Sequence, residues 1–184
     1  MKPVVLIGGP SGAGKSTLAR ELDCRLGFDH RLGVGFVREV VKSQTDEDRD
    51  PVLFLYSFAG PDPTATLVQQ AQRLQPAVEA CIERSHREGT SLVLEGTQLL
   101  PALYHDHPHV THFVVLEAPE GPEHQQRLLG SSHSKRQLDD DTIAKISATN
   151  GYYVEQAKLY NIPSCIFRTL EDVLPLMDGL NLGL

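Results

Sequence analysis

The octapeptide Gly9-Pro10-Ser11-Gly12-Ala13-Gly14-Lys15-Ser16 constrains this chain more than any other stretch. It fits the spacing G-x-x-x-x-G-K-[ST], whose glycines let successive backbone N–H groups turn inward around an anion. Directly before it, Val4-Val5-Leu6-Ile7 is a continuous apolar run, as a strand buried on both faces would be. Directly after it, residues 16–26 place Leu18, Ala19, Leu22 and Leu26 on one helical face. Strand, glycine loop and helix in that order predict a phosphate cradle, with the positive end of the helix dipole facing the ligand. Gly9, Pro10, Ser11, Gly12, Ala13, Gly14, Lys15, Ser16 and Thr17 are therefore the candidate ATP-binding residues. Lys15 would reach the β- and γ-phosphates, and the Ser16 hydroxyl would take a place on Mg²⁺. The ligand-free alternative is a glycine-rich turn carrying an exposed lysine.

The rest of the 184-residue chain alternates short β-rich runs with longer helical stretches. A weak strand is expected over residues 31–34, leading into a short helix from about Phe36. Residues 64–87 carry Leu67, Ala71, Leu74, Val78, Cys81 and Ile82 at helical spacing, and Pro76 is expected to kink or divide that helix. Residues 91–94 and 112–116 read as buried strands, and residues 164–167 as a fifth. Asp139-Asp140-Asp141 predicts an N-cap and first-turn acids for a helix to about Tyr160, and a short helix is expected from Leu170. This order predicts an α/β fold on a largely parallel five-stranded sheet, in one domain covering residues 1–184.

Charge narrows the partners. With 17 Lys and Arg against 24 Asp and Glu, the net charge is −7, which argues against a nucleic-acid groove. No apolar run reaches the ~20 residues of a membrane span, and the N-terminal apolar segment is too short for a signal-peptide core. Three widely spaced cysteines (Cys24, Cys81, Cys165) fit reduced thiols in a cytoplasmic protein, each read as a small core hydrophobe. His105, His107, His109 and His112 crowd one stretch, but with Pro108 beside them they read as a surface loop rather than a metal site.

Three further groups suit phosphoryl transfer. Glu95 follows the strand 91–94, where an acid would share the Mg²⁺ shell with Ser16 or polarise the attacking group; a strand-end capping acid is the alternative. Arg38 lies one turn into the helix after the second strand. Arg127, Lys135 and Arg136 bracket Gly130-Ser131-Ser132-His133-Ser134, which suggests a lid over residues 128–140 whose cations close on the phosphates. Arg127 could also stack on adenine, while ordinary surface salt bridges are the alternative for all these arginines.

Taken together, residues 8–17, Arg38-Glu39-Val40, Glu95-Gly96 with Leu99 and Pro101, Glu123-His124-Gln125-Gln126-Arg127 and Asn161-Ile162-Pro163 resemble the kinase domain of 2-phosphoglycerate kinases. The resemblance implies a three-layer P-loop fold of the nucleoside-monophosphate-kinase type with a lid. It also implies ATP-dependent phosphorylation of 2-phosphoglycerate to 2,3-bisphosphoglycerate. Under it, Arg38 clamps a small anionic acceptor, and the N-terminal regulatory domain of some longer relatives is expected to be missing. Three positions depart from the family pattern: Gly35 stands where an aspartate is usual, Gln98 where histidine is frequent, and Phe54 where a leucine–histidine pair occurs. Those positions suit acceptor binding and a general base, so Glu39 and Glu95 remain the candidate bases. A kinase for another small acceptor, or a nucleotide-binding regulatory protein without transfer activity, are the alternative readings.

Overall fold

The computed structural model describes residues 2–130, 138–177 and 180. Five strands form one parallel sheet: β1 (Val4–Gly8), β2 (His30–Gly33), β3 (Leu92–Glu95), β4 (His112–Glu117) and β5 (Ser164–Ile166). Their order across the sheet is β2-β3-β1-β4-β5, so β1 is central and wholly buried. Alternation along β1 divides the core, as the period of two requires. Val4 and Leu6 face one apolar cluster with Leu67, Leu74, Ile82 and Tyr153, whereas Val5 and Ile7 face another with Leu18, Leu22 and Phe167. Helices thus cover both faces, which is why the strands read as continuous apolar runs.

The helices are α1 (Lys15–Leu26), α2 (Val34–Lys42), α3 (Pro63–Glu88), α4 (Pro101–Tyr104), α5 (Pro122–Leu128) and α6 (Asp140–Leu159). Asp139 caps α6 by accepting from the Thr142 N–H at 2.8 Å, as its position in the sequence implies. Asp62 caps α3 in the same way through Ala65 N–H at 2.9 Å, with Pro63 in the first turn.

Several expectations are corrected. Pro76 does not divide α3, which runs unbroken for 26 residues. Its apolar stripe, with Leu67, Ala71, Leu74, Val78 and Ile82 buried, holds the helix together across the missing donor. Glu95 is the last residue of β3 rather than a residue beyond it, and the segment from Leu170 forms two short 3-10 turns instead of a helix. Cys24 is exposed, not a core residue, whereas Cys81 and Cys165 are half-buried.

Candidate active site

A cleft of about 610 Å³ opens where β1, β2, β3 and β5 end, lined by residues of the loops that leave those strands. Open parallel sheets bind ligands at this edge because the loops there diverge. The loop from β1 to α1 forms the floor. Gly9 takes φ +137°, and a Cβ there would lie 2.2 Å from the carbonyl oxygen of Leu116 on β4. Only glycine permits the loop to turn this tightly against the sheet. Lys15 is buried, and its Nζ donates to the Pro10 carbonyl at 2.7 Å, so the ammonium lies back across the loop.

Pairing of β1 with β3 sets Ile7 opposite Glu95, and β2 pairs Gly33 with the same residue. The carboxylate therefore stands beside the start of α1, and Ser16 Oγ donates to Glu95 Oε1 at 3.0 Å. A hydroxyl and a carboxylate oxygen side by side are hard donors suited to Mg²⁺, which commonly takes one or two protein oxygens and completes its shell with phosphates and water. The two residues expected to share that role are thus in contact.

Arg38 lines the same cleft from α2. Its Nη1 donates to the Leu55 carbonyl at 3.1 Å and its Nη2 lies 3.5 Å from Glu39 Oε1. The Arg38 Nε is buried with no hydrogen-bond partner. Gly35, Glu39, Tyr56, Ser57 and Phe58 complete this wall, and the Tyr56 and Phe58 rings stack at 5.4 Å. Phe54 stands outside the lining; its ring instead takes the Lys42 ammonium 4.8 Å from its centroid.

Arg127 also reaches the cleft, ion-paired within α5 to Glu123 at 2.7 Å. Glu123 binds Arg168 as well, at 3.3 Å. Burial opposes ionisation of Glu123, but the Arg127 and Arg168 guanidiniums outweigh it and hold its carboxyl below the usual range. Lys135 and Arg136, with most of the expected lid, lie outside the described residues. His105, His107 and His109 lie between α4 and β4, which His112 opens; His86 of α3 stacks on His109 at 3.6 Å, and among the described residues no group of three or more His, Cys, Asp or Glu side chains is placed to hold a metal ion.

The sequence analysis assigns no individual role to five residues that shape the cleft. Arg168 and Phe167 follow β5; Phe167 lies under Gly14, where a Cβ would meet its ring at 2.8 Å. Their signal was available, since they follow the last strand as the glycine loop follows the first. His124, buried in α5, bonds through Nε2 to the Ser11 carbonyl at 2.9 Å and braces the loop. Tyr153 of α6, wholly buried, donates its hydroxyl to the Thr97 carbonyl. Burial pushes that phenol well above its ordinary pKa, so it stays a donor. Gln70 of α3 is fully buried and bonds to Gln98; its signal was a polar residue inside an apolar helical stripe.

Known proteins agree with this architecture. The chain is 31% identical to a 2-phosphoglycerate kinase of Methanococcus maripaludis and 32% identical to that of Methanocaldococcus jannaschii, each match covering 87% of this chain. It spans only 58% and 57% of the length of those relatives. The fold is similar to a shikimate kinase from Acinetobacter baumannii in complex with shikimate, with a TM-score of 0.58 and 14% identity over 92% of this chain and 86% of that one. It is also similar to a deoxyadenosine kinase from M. mycoides with bound dATP, with a TM-score of 0.55 and 13% identity over 98% and 99% of the two chains. The family model described as AAA domain matches residues 5–147, which include the glycine loop, Glu95, β1 from Val5 onward and all of β2 through β4. With that match spanning most of its length, the chain belongs to the AAA domain family.

Proposed function

We propose that this chain is an ATP-dependent kinase that phosphorylates the free hydroxyl of 2-phosphoglycerate, yielding 2,3-bisphosphoglycerate and ADP. One observation carries the reading. A single cleft holds a phosphate loop with its Ser16–Glu95 pair and, facing it from α2, the Arg38 guanidinium. A guanidinium offers paired donors to a phosphate or carboxylate, and the Arg38 Nη groups, now on the Leu55 carbonyl and Glu39, would turn to the anionic group of an acceptor. The names of the relatives 31% and 32% identical supply the particular acid.

In this reading the backbone N–H groups of residues 9–16 cradle the phosphates, and Lys15 turns from the Pro10 carbonyl to the γ-phosphate. Ser16 and Glu95 would hold Mg²⁺, which supplies neutralisation of charge on the phosphates. Arg38 orients the acceptor's phosphate or carboxylate. The acceptor oxygen forms a bond to the γ-phosphorus as the β–γ bridging bond breaks, and ADP carries away the electron pair. The hydroxyl proton leaves to Glu39, the cleft carboxylate not tied to the loop, or to water. Arg127 and, from outside the described residues, Lys135 and Arg136 would neutralise the spreading charge and cover the nucleotide.

Residues 1–184 are read as one such domain, acting on a small soluble partner rather than nucleic acid or membrane. Among the described residues no helix is long and apolar enough to cross a bilayer. Free thiols at Cys24, Cys81 and Cys165 suit a reducing, cytoplasmic setting. Gly35, where the resemblance expects an aspartate, favours as second readings a different small acceptor or nucleotide binding without transfer. The test is acceptor-dependent ADP release across a panel of phosphorylated hydroxy acids, with Lys15→Ala as the control that abolishes it. Release with 2-phosphoglycerate supports the proposal; ADP release with another acid alone, or with none, selects between the other two.

A further inference from the structure

Gln70 lies on the apolar face of α3 beside Leu67, Ala71 and Leu74, and is fully buried. Its Nε2 donates to two backbone carbonyls, Val52 O and Leu55 O, each at 2.8 Å. Carbonyl oxygens only accept, so the orientation of this amide is forced and both its N–H bonds are engaged. Gln70 Oε1 must then receive a donor, which is Gln98 Nε2 at 3.0 Å. That contact forces the second amide too. Gln98 is 5% exposed, lines the cleft and makes no other hydrogen bond among the described residues. Its remaining oxygen, Oε1, can only accept.

The geometry points to Gln98 Oε1 as the group that recognises the hydroxyl of the acceptor. This inference rests on the kinase reading and names what would select its substrate. An oxygen fixed in the acceptor role pairs with a ligand O–H and leaves a deoxy analogue with an unmet partner. The same relay reaches the anion clamp, because Leu55 O, held by Gln70, also accepts from Arg38 Nη1 at 3.1 Å. Gln70 is thus a positioning residue that ties hydroxyl recognition to anion recognition. It also explains a glutamine at position 98: a carboxylate there could not donate to Gln70 and would repel an acid, and an aliphatic residue would leave Gln70 Oε1 unpaired.

The test is calorimetry on the full chain with Mg²⁺ and a non-hydrolysable ATP analogue. 2-Phosphoglycerate is compared with 2-phospholactate, which lacks the hydroxyl but keeps both anionic groups. The wild type should bind the hydroxy acid about tenfold more tightly, the value of one well-placed hydrogen bond. Gln98→Leu should bring the ratio to near one, and Gln70→Leu should reduce it by releasing the Gln98 amide. Gln98→Met serves if Gln98→Leu does not fold. A merely structural role would weaken both ligands equally and leave the ratio unchanged, which would overturn the inference. Wild-type turnover of 2-phosphoglycerate with selectivity that survives at position 98 defeats this inference alone; absence of both turnover and binding defeats it together with the kinase reading.

Discussion

Replacing Gly9 with alanine isolates the steric logic of the phosphate loop. The added Cβ would stand 2.2 Å from the Leu116 carbonyl oxygen, a backbone atom of β4 that cannot rotate away. The φ of +137° adds strain that no L-residue escapes. Backbone strain of this kind costs about 1–3 kcal/mol and forced overlap in a packed interior a further ~1–3 kcal/mol. A total near 4 kcal/mol is a large share of the roughly 5–15 kcal/mol that holds a domain folded. For a chain of this size it should lower Tm by roughly 8–16 °C. Thermal unfolding followed by circular dichroism gives the first readout, and titration with ATP and Mg²⁺ the second, since the loop must shift to relieve the clash. Gly35→Ala is the matched control. A Cβ there meets no atom within 4 Å, and the position is helical, so alanine should stabilise by about 0.5–1 kcal/mol. Opposite signs for the same chemical change are expected. A Gly9→Ala protein melting within about 2 °C of wild type, with unchanged ATP affinity, would refute the close approach of loop to strand.

Arg38→Lys exchanges a planar fork for a point charge, and the acceptor KM should rise roughly thirtyfold, about 2 kcal/mol, while ATP affinity holds; steady-state kinetics with each substrate varied decides it, and equal KM values contradict the clamp. Burial, reinforced by Asp172 and Glu117, pushes the Cys165 thiol up to about 11, so iodoacetamide at about pH 8 should label exposed Cys24 well before Cys165. Equal labelling of the two in the native protein, read by peptide mass, would contradict that burial. The Lys2 ammonium, then the Ser91 N–H and hydroxyl, hold the Asp29 carboxyl well below its ordinary range. Because the folded value lies below the unfolded one, this contribution is complete above about pH 4 and is lost as pH falls toward the folded value. Asp29→Asn should therefore lower the urea midpoint at neutral pH and flatten its decline in acid; parallel acid limbs for the two proteins would rule this out.

Local order carried much of the architecture. The run Val4-Val5-Leu6-Ile7, the glycine spacing through Ser16 and the acids at residues 139–141 each specify their own backbone, because turn, cap and buried strand are determined by neighbours in the chain. The phosphate loop, the five strands and the cap of α6 were legible for that reason. Local signals erred where packing overrode them: Pro76 stays inside α3 because the helix buries its stripe on both sides of the ring.

What sequence spacing could not carry was adjacency. Ser16 and Glu95 stand 79 residues apart, and their contact exists because β3, not β2, pairs with β1. Nothing in either strand's composition names its neighbour; the order follows from how all the helices cover both faces at once. The same holds for the forced amide relay from α3 through Gln70 to Gln98 and for Arg168 meeting Arg127 across Glu123. From sequence alone this protein was a phosphate cradle on a parallel sheet. Tertiary structure decided which carboxylate, which arginine and which amide that cradle faces, because hydrogen bonds between distant segments are selected only when the whole core closes.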